Sequence, residues 1–450
     1  MKEKQKLYKV LIAGAGPAGT APLVLAARTN KLEQLLNSKI AILNKGMQMG
    51  SGAIGKYVVN SDTNCVVFLT CLEGQTEGRV FESLVQANAT RSLEKLRYTS
   101  APLKLVAEFL DEIGQALQST IDRHPTSQVF SRTEATSLHF LADGTIHTKA
   151  VTLFKDELTL QQEFCSKLVV LALGGKQVRE KALNEKIVGD LSLTGQLSGK
   201  VLLSDFVLTQ DGVDKINSLL QNTLSKKIVI IGGSNSAFSA AWTLLNKVKG
   251  VQFSEGDIKI LHRSLVKLCY GSRDEALDDG YTDFSDEDIC PITKRVYRLG
   301  GLRNDAKELY RQIRGWSKER QEKRVKLIAI KEGNTSLIEI KTLLDEADLI
   351  ITAYGYDTNI IPIYDANGVE IKPLCNRRGP MIDDNGRVLA EDGKPIPNVF
   401  AIGLGAGFRY SEKLGGEQTF TGEINGTWIY QNTIGEIILN QILPPTKLEV

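Results

Sequence analysis

The stretch "VLIAGAGPAGTAPLVLAA", residues 10–27, decides how the rest of the chain is read. An apolar strand signal runs into Gly14-Ala15-Gly16-Pro17-Ala18-Gly19, and an Ala/Leu-rich helical run follows to about Asn30. Strand, glycine turn, then helix is the context in which GxGxxG holds a dinucleotide. Gly14 permits the tight turn, Gly16 lets the backbone approach a pyrophosphate, and Gly19 lets helix and strand pack closely. The helix start beyond Pro17 and Ala18 offers free N–H groups and partial positive charge to the phosphates. A turn of purely structural purpose is the competing reading.

The pattern returns at "IVIIGGSNSAFSAAW", residues 228–242. In Gly232-Gly233-Ser234-Asn235-Ser236-Ala237 a serine takes the middle glycine position and an alanine the third. Both are small, so the close approach survives. Each turn is followed by a second strand whose last residue reads the ribose. After the first turn, "SKIAILN" ends at Asn44, where an acidic residue is usual; a neutral amide still hydrogen-bonds a ribose, but less tightly. After the second, "Leu261-His262-Arg263-Ser264" places Arg263 and Ser264 where a 2′-phosphate would lie, which points to NADPH. A solvated strand end is the alternative for Arg263. Strands and helices alternate over the remainder, so the expected class is α/β.

Composition narrows the function classes. The chain has 450 residues, enough for two or three domains, and its 55 basic and 53 acidic residues leave a net charge of only +2. That balance argues against nucleic acid or an anionic membrane surface as partner. No apolar run approaches the ~20 residues of a membrane helix. Six scattered cysteines without a CxxC pair argue against a disulfide framework or a zinc site, and no metal is expected. The basic N-terminus lacks a signal-peptide core, so a cytoplasmic location is the default. Oligomeric state is not legible.

Two such turns resemble the flavoproteins with two dinucleotide-binding domains, among them glutathione and thioredoxin reductases, flavin-containing monooxygenases and the ornithine/lysine N-hydroxylases. "LALGG" (171–175) and "TAYGY" (352–356) resemble the two strand ends that brace the domain crossings. "IPNVFAIG" (396–403), ending at Gly403, resembles the strand that closes the FAD domain. The resemblance implies two Rossmann-like domains, the NADPH domain inserted into the FAD domain. The expected limits are 1–225 and 345–450 for FAD, with a C-terminal helix, and 226–344 for NADPH.

The monooxygenase branch of these flavoproteins fits better than the reductases. The close cysteine pair, Cys65 and Cys71, would lie about 20 Å apart on a strand at ~3.3 Å per residue, too far for a disulfide. Leu404 stands where reductases usually carry an Asp. "LSGKVLLS" (197–204) partly matches the monooxygenase linker fingerprint FxGxxxHS, with Leu203 in place of the histidine. The resemblance implies that NADPH reduces FAD, and that reduced flavin adds O₂ at C4a to give a hydroperoxide. One oxygen atom then passes to a nucleophilic nitrogen or sulfur of a small molecule. It also implies that Asn60 and Ser61, just after the glycine-rich loop 45–57, sit beside the flavin ring; a polar loop cap is the plainer reading. None of the four histidines is expected to act as a base. Two alternatives remain open: a reductase or oxidase passing electrons to a quinone, a disulfide or O₂, and a flavin-bound protein without turnover. Arg295, Arg298, Arg303, Lys307, Arg311 and Arg314 are read as a solvated helix face. Phe408, Tyr410, Phe420, Trp428 and Tyr430 are read as pocket wall or core.

Overall fold

The computed structural model describes residues 6–74, 78–154, 158–221, 226–318, 320–331, 333–404, 406–408 and 414–444. In chain order the strands are β1 (Leu7–Ala13), β2 (Ile40–Asn44), β3 (Gln128–Ser131), β4 (Thr133–Phe140), β5 (Ile146–Leu153) and β6 (Thr159–Leu171). Then come β7 (Gly175–Lys176), β8 (Val201–Leu203), β9 (Ile228–Ile231), β10 (Ile258–His262), β11 (Val325–Ala329) and β12 (Leu349–Thr352). The last four are β13 (Asp357–Thr358), β14 (Ile363–Tyr364), β15 (Arg387–Leu389) and β16 (Pro395–Ala401).

Five of these strands make a parallel layer in the order β3-β2-β1-β6-β16. Val10, Leu11 and Ile12 of β1 have no exposed surface, which is why this strand shows no polar alternation. The 13 residues of β6 serve two purposes. Its first half pairs antiparallel with β5, and β5 with β4, while its second half lies in the parallel layer. The 20-residue helix Leu103–Asp122 buries Val106, Phe109, Leu110, Ile113, Leu117 and Ile121. Those positions recur at helical spacing and form one apolar stripe facing the core.

The second sheet is entirely parallel, in the order β11-β10-β9-β12-β8. Along β9, Ile228 and Ile230 join one apolar cluster with Phe238, while Val229 and Ile231 join another with Leu344. Alternate residues therefore feed the two faces, and both faces are covered. The chain leaves the first sheet after β6 and returns after β12. The crossings are tied together where β7 pairs antiparallel with β13. The strand β8, which precedes residue 226, pairs with β12 and so belongs to this second sheet.

Residues 65–69 are helical, not a strand, despite the β-branched Val66 and Val67. Packing of Cys65, Phe68 and Leu69 into the core outweighs the weak local preference for an extended chain. Among the described residues no helix is long and apolar enough to cross a membrane.

Candidate active site

The first turn closes against the end of β6. Gly14 adopts φ +110°, and a Cβ there would lie 2.2 Å from the carbonyl oxygen of Ala172. Gly19 is equally constrained, its Cβ position falling 1.9 Å from the carbonyl oxygen of Gly14. Gly16 differs: its Cβ would meet only Gly52 Cα at 3.6 Å, so this glycine keeps space open beside the backbone. Gly16 is the N-cap of the helix Pro17–Arg28, with Pro17 at its first position and no side chain capping it. The amides of its first turn therefore stay available to an anion. Gly403, at φ +113°, lies against Ala18, bringing the end of β16 to the helix start. Asn44 at the end of β2 is buried; its Oδ1 accepts the Gly46 N–H at 3.3 Å, and its Nδ2 is buried without a partner. A buried, unpaired amide donor at a ribose position is the kind of group that a bound nucleotide satisfies. These residues fit a flavin dinucleotide.

The second turn repeats the device. Gly232 has φ +149°, and a Cβ there would lie 2.7 Å from the carbonyl oxygen of Ala353, just as Gly14 meets Ala172. Ser234 is the N-cap of the helix Asn235–Asn246, again without a side-chain cap, and Ser236 and Ala237 fall in its first turn. Asn235 keeps a buried Oδ1 without a partner.

Arg263 follows β10, but its head is engaged. Its Nη2 donates to Glu185 Oε1 at 3.0 Å, and the Arg377 guanidinium pairs with the same oxygen. Against the burial that would raise it, these two guanidiniums hold the Glu185 carboxyl below its ordinary range. Ser264 contributes its carbonyl oxygen to His262 Nδ1 at 2.9 Å. If Arg263 receives a 2′-phosphate, Glu185 competes with it. Glu185→Gln is then expected to lower the Michaelis constant for NADPH several-fold while leaving NADH unchanged, on the order of the ~1 kcal/mol of one exposed ion pair. Steady-state kinetics with both nucleotides check this, and an unchanged ratio removes Arg263 from the phosphate site.

Beside the second turn, at the start of its helix, lies a small open cleft. Val59, Asn60, Ser61 and Asp62 line one side; Asn235, Ser239 and Trp242, with Arg303 and Asp305, line the other. The loop is held in place by Ser61 N–H to Ala101 O at 2.8 Å and Leu103 N–H to Val59 O at 2.9 Å. Asn60 Nδ2 donates to Asp305 Oδ2 at 2.8 Å, so the two sides meet through one hydrogen bond. The Ser61 hydroxyl donates to Thr63 O and so braces its own loop. Arg303 and Asp305, neither read as a site residue from the sequence, complete the cleft. Arg303 Nε and the neighbouring Asn304 Nδ2 are buried without partners, Asn304 at φ +44°, and Asp305 lies in the first turn of the helix Asn304–Arg314. In sequence "RND" reads as an ordinary helix start, and nothing local reveals the unpaired atoms.

A family model, described as pyridine nucleotide-disulphide oxidoreductase, matches residues 8–410. This chain belongs to that family. As a pyridine nucleotide-disulphide oxidoreductase it is an enzyme, with the two-dinucleotide-domain flavoprotein fold, and its cofactors are FAD and a nicotinamide dinucleotide. A CMP-5′-(3-aminopropyl)phosphonate hydroxylase from Streptomyces rubellomurinus is 28% identical over 447 residues, covering 98% of this chain and 99% of that one. Two solved structures share the fold. The cadaverine monooxygenase of the desferrioxamine pathway from Erwinia amylovora, bound to FAD, has a TM-score of 0.56 at 12% identity, over 97% of this chain and 95% of that one. An ornithine N-hydroxylase from Kutzneria sp. 744 has a TM-score of 0.53 at 13% identity, over 97% and 99%.

The disulphide in the family name finds no counterpart among this oxidoreductase's described cysteines, all of which are free thiols. Burial pushes Cys71 up to about 12, so it is not a thiolate nucleophile. Cys290 is drawn down to about 7: burial opposes this, but N–H donors of Thr293 and Gly416 and the Arg298 guanidinium outweigh it. It is fully buried beneath the 414–416 segment, which leaves no access for an exchanging disulfide.

The basic residues of 298–311 are not the solvated face expected from their spacing. Arg298 is buried and donates to Leu414 O at 3.2 Å. Lys307 Nζ sits 3.3 Å from the centre of the Tyr270 ring and donates to Cys269 O, and Arg311 pairs with Asp279. Their aliphatic stems cover apolar surface while carbonyls, carboxylates and rings take the charged heads. Phe408 and Tyr430 are core, Trp428 lies partly exposed against Arg298, and Tyr410 lies outside the described residues.

Proposed function

We propose that this enzyme is an FAD- and NADPH-dependent monooxygenase that hydroxylates the primary amine of a small molecule carrying an anionic group. FAD lies on the turn Gly14–Gly19 with Asn44 and Gly403. NADPH lies on Gly232–Ala237 with Arg263 and Ser264. The FAD domain comprises 1–225 and 345–450 and the NADPH domain 226–344, with β8 as the crossing strand that reaches into the second sheet.

The observation that carries this reading is the cleft beside the second turn, which offers Asp305 and Asp62 to an ammonium and is lined by the Arg303 guanidinium, a partner for an anion. The Streptomyces relative, similar over almost its whole length, is named for a substrate with both an amine and a phosphonate. Bound FAD, once reduced by NADPH, supplies an electrophilic oxygen atom derived from O₂. The chain's own residues must present the nitrogen to it. Asp305 accepts the proton that the ammonium loses, which frees the nitrogen lone pair, and then orients the neutral amine by a hydrogen bond. Asn60, already bonded to Asp305, is free to turn its Nδ2–H toward charge developing on the oxygen. Val59 on one side and Trp242 on the other give the cleft its apolar surface, which limits bulk water there.

The test is turnover of the FAD-loaded enzyme with NADPH and O₂ on 3-aminopropylphosphonate, its CMP ester, propylamine and ornithine. Expected is an NADPH-dependent gain of one oxygen by the phosphonate-bearing amines, with little on propylamine. Stoichiometric peroxide with every amine, and no oxygenated product, would establish an oxidase instead.

A further inference from the structure

Where the chain crosses between the two sheets, three distant segments converge on one carboxylate. Asp205 follows β8 directly and Tyr356 lies in the return crossing after β12. Lys56 and Tyr57 end the turn that leads from the glycine-rich loop to Asn60. Asp205 Oδ1 accepts the Tyr356 O–H at 2.9 Å and also the Tyr57 O–H, the two phenol oxygens being 3.1 Å apart. Its other oxygen pairs with Lys56 Nζ at 2.9 Å. Gln177, next to β7, clasps the same place, its Oε1 accepting the Asp205 N–H at 3.0 Å and its Nε2 donating to Ser204 Oγ at 2.9 Å. Tyr57 and Thr209 form a bridge, and Val58 N–H donates to Leu208 O at 2.9 Å.

Burial above all pushes both phenols well above their ordinary range, reinforced at Tyr57 by Tyr356 and then Asp205 and at Tyr356 by Asp205 against the bond from Tyr57, so each remains a donor. Burial alone would raise Asp205, but its donors hold it low and ionised. One charge thus binds the outgoing crossing, the return crossing and the loop that carries Asn60. The β8–β12 and β7–β13 pairings and the Val58 N–H to Leu208 O bond tie these segments through backbone, and Asp205 adds the side-chain charge that all three share. Gly14 packs on Ala172 and Gly232 on Ala353, each just past the strand that runs into a crossing, so the geometry of the two crossings bears on the distance between the two turns.

We propose that Asp205 is the positioning residue that sets the spacing of the two dinucleotides, through its bonds to Tyr57, Tyr356 and Lys56. This rests on the cofactor placement given under Proposed function, and is independent of whether oxygen is inserted. Removing the charge loosens the crossings, and hydride transfer is sensitive to such changes: misplacement by about 1 Å costs on the order of 10²-fold in rate.

The test uses the FAD-loaded enzyme and its Asp205→Asn and Tyr356→Phe variants. Hydrogen–deuterium exchange is followed across 54–60, 200–208 and 353–358, beside anaerobic stopped-flow bleaching of the flavin by NADPH. Expected for Asp205→Asn is faster exchange in all three segments, unchanged flavin content, and reduction slowed roughly 10- to 100-fold. Tyr356→Phe, which leaves two of three donors, should fall between. Faster exchange with wild-type reduction would make the cluster a structural tie only and overturn the proposal, as would unchanged exchange. A wild-type flavin that NADPH does not bleach would instead overturn the cofactor placement, while the exchange data still report on the tie.

Discussion

Gly14→Val is expected to give protein without a flavin absorbance band, whatever FAD is supplied during purification. The left-handed φ of +110° already costs a non-glycine residue about 1–3 kcal/mol. The added side chain would also drive into the Ala172 carbonyl, only 2.2 Å from its Cβ. That carbonyl ends a strand bonded on both sides, so it cannot retreat without opening the parallel layer. Against a total stability of about 5–15 kcal/mol the variant could lose its fold as well as its cofactor. Gly16→Ala separates the two effects. Gly16 has an ordinary φ of −74°, and its new Cβ would make only a 3.6 Å contact with Gly52. This variant should melt like the wild-type apoprotein yet bind FAD far more weakly, because the methyl occupies the approach of the pyrophosphate. Melting curves and FAD titration measure both. Tight FAD binding by Gly16→Ala would remove the first turn from the flavin site.

Asp305→Asn is expected to raise the Michaelis constant of the amine substrate roughly 10- to 100-fold. The substitution keeps the shape of the side chain and its contact with Asn60, so the loss is that of a charged acceptor, about 1.5–3 kcal/mol. Flavin reduction by NADPH should proceed at the wild-type rate, since Asp305 acts on the other substrate. More of the NADPH consumed should then appear as peroxide. The informative contrary result is a weakened affinity for NADP⁺ with an unchanged amine constant, which would give the cleft to the nicotinamide.

Both experiments exploit a difference in how the two kinds of site are written into the chain. The glycine turns were legible because strand, turn and helix are contiguous, and each residue's role depends on neighbours a few positions away. Sheet pairing partly followed: β9 had to be buried on both faces because "IVII" contains no polar residue. Residues 65–69 escaped such reading, since a five-residue apolar run satisfies strand and helix alike until its packing partners are known. The basic run from Arg298 to Arg311 misled for the same reason. Charge spacing describes a helix surface, but only the neighbours reveal whether that surface meets water, a tyrosine ring or a buried carbonyl.

By itself, the sequence determined the α/β class and the two strand–glycine turn–helix units. All are local patterns with a fixed spacing. The tertiary structure alone decided the pairings that give the site its chemistry. Asn60 meets Asp305 across 245 residues, Arg263 meets Glu185 across 78, and Tyr356 meets Asp205 across 151. A hydrogen bond of this kind leaves no periodicity along the chain, because its partners are neighbours only once two sheets have packed and the crossings between them have closed.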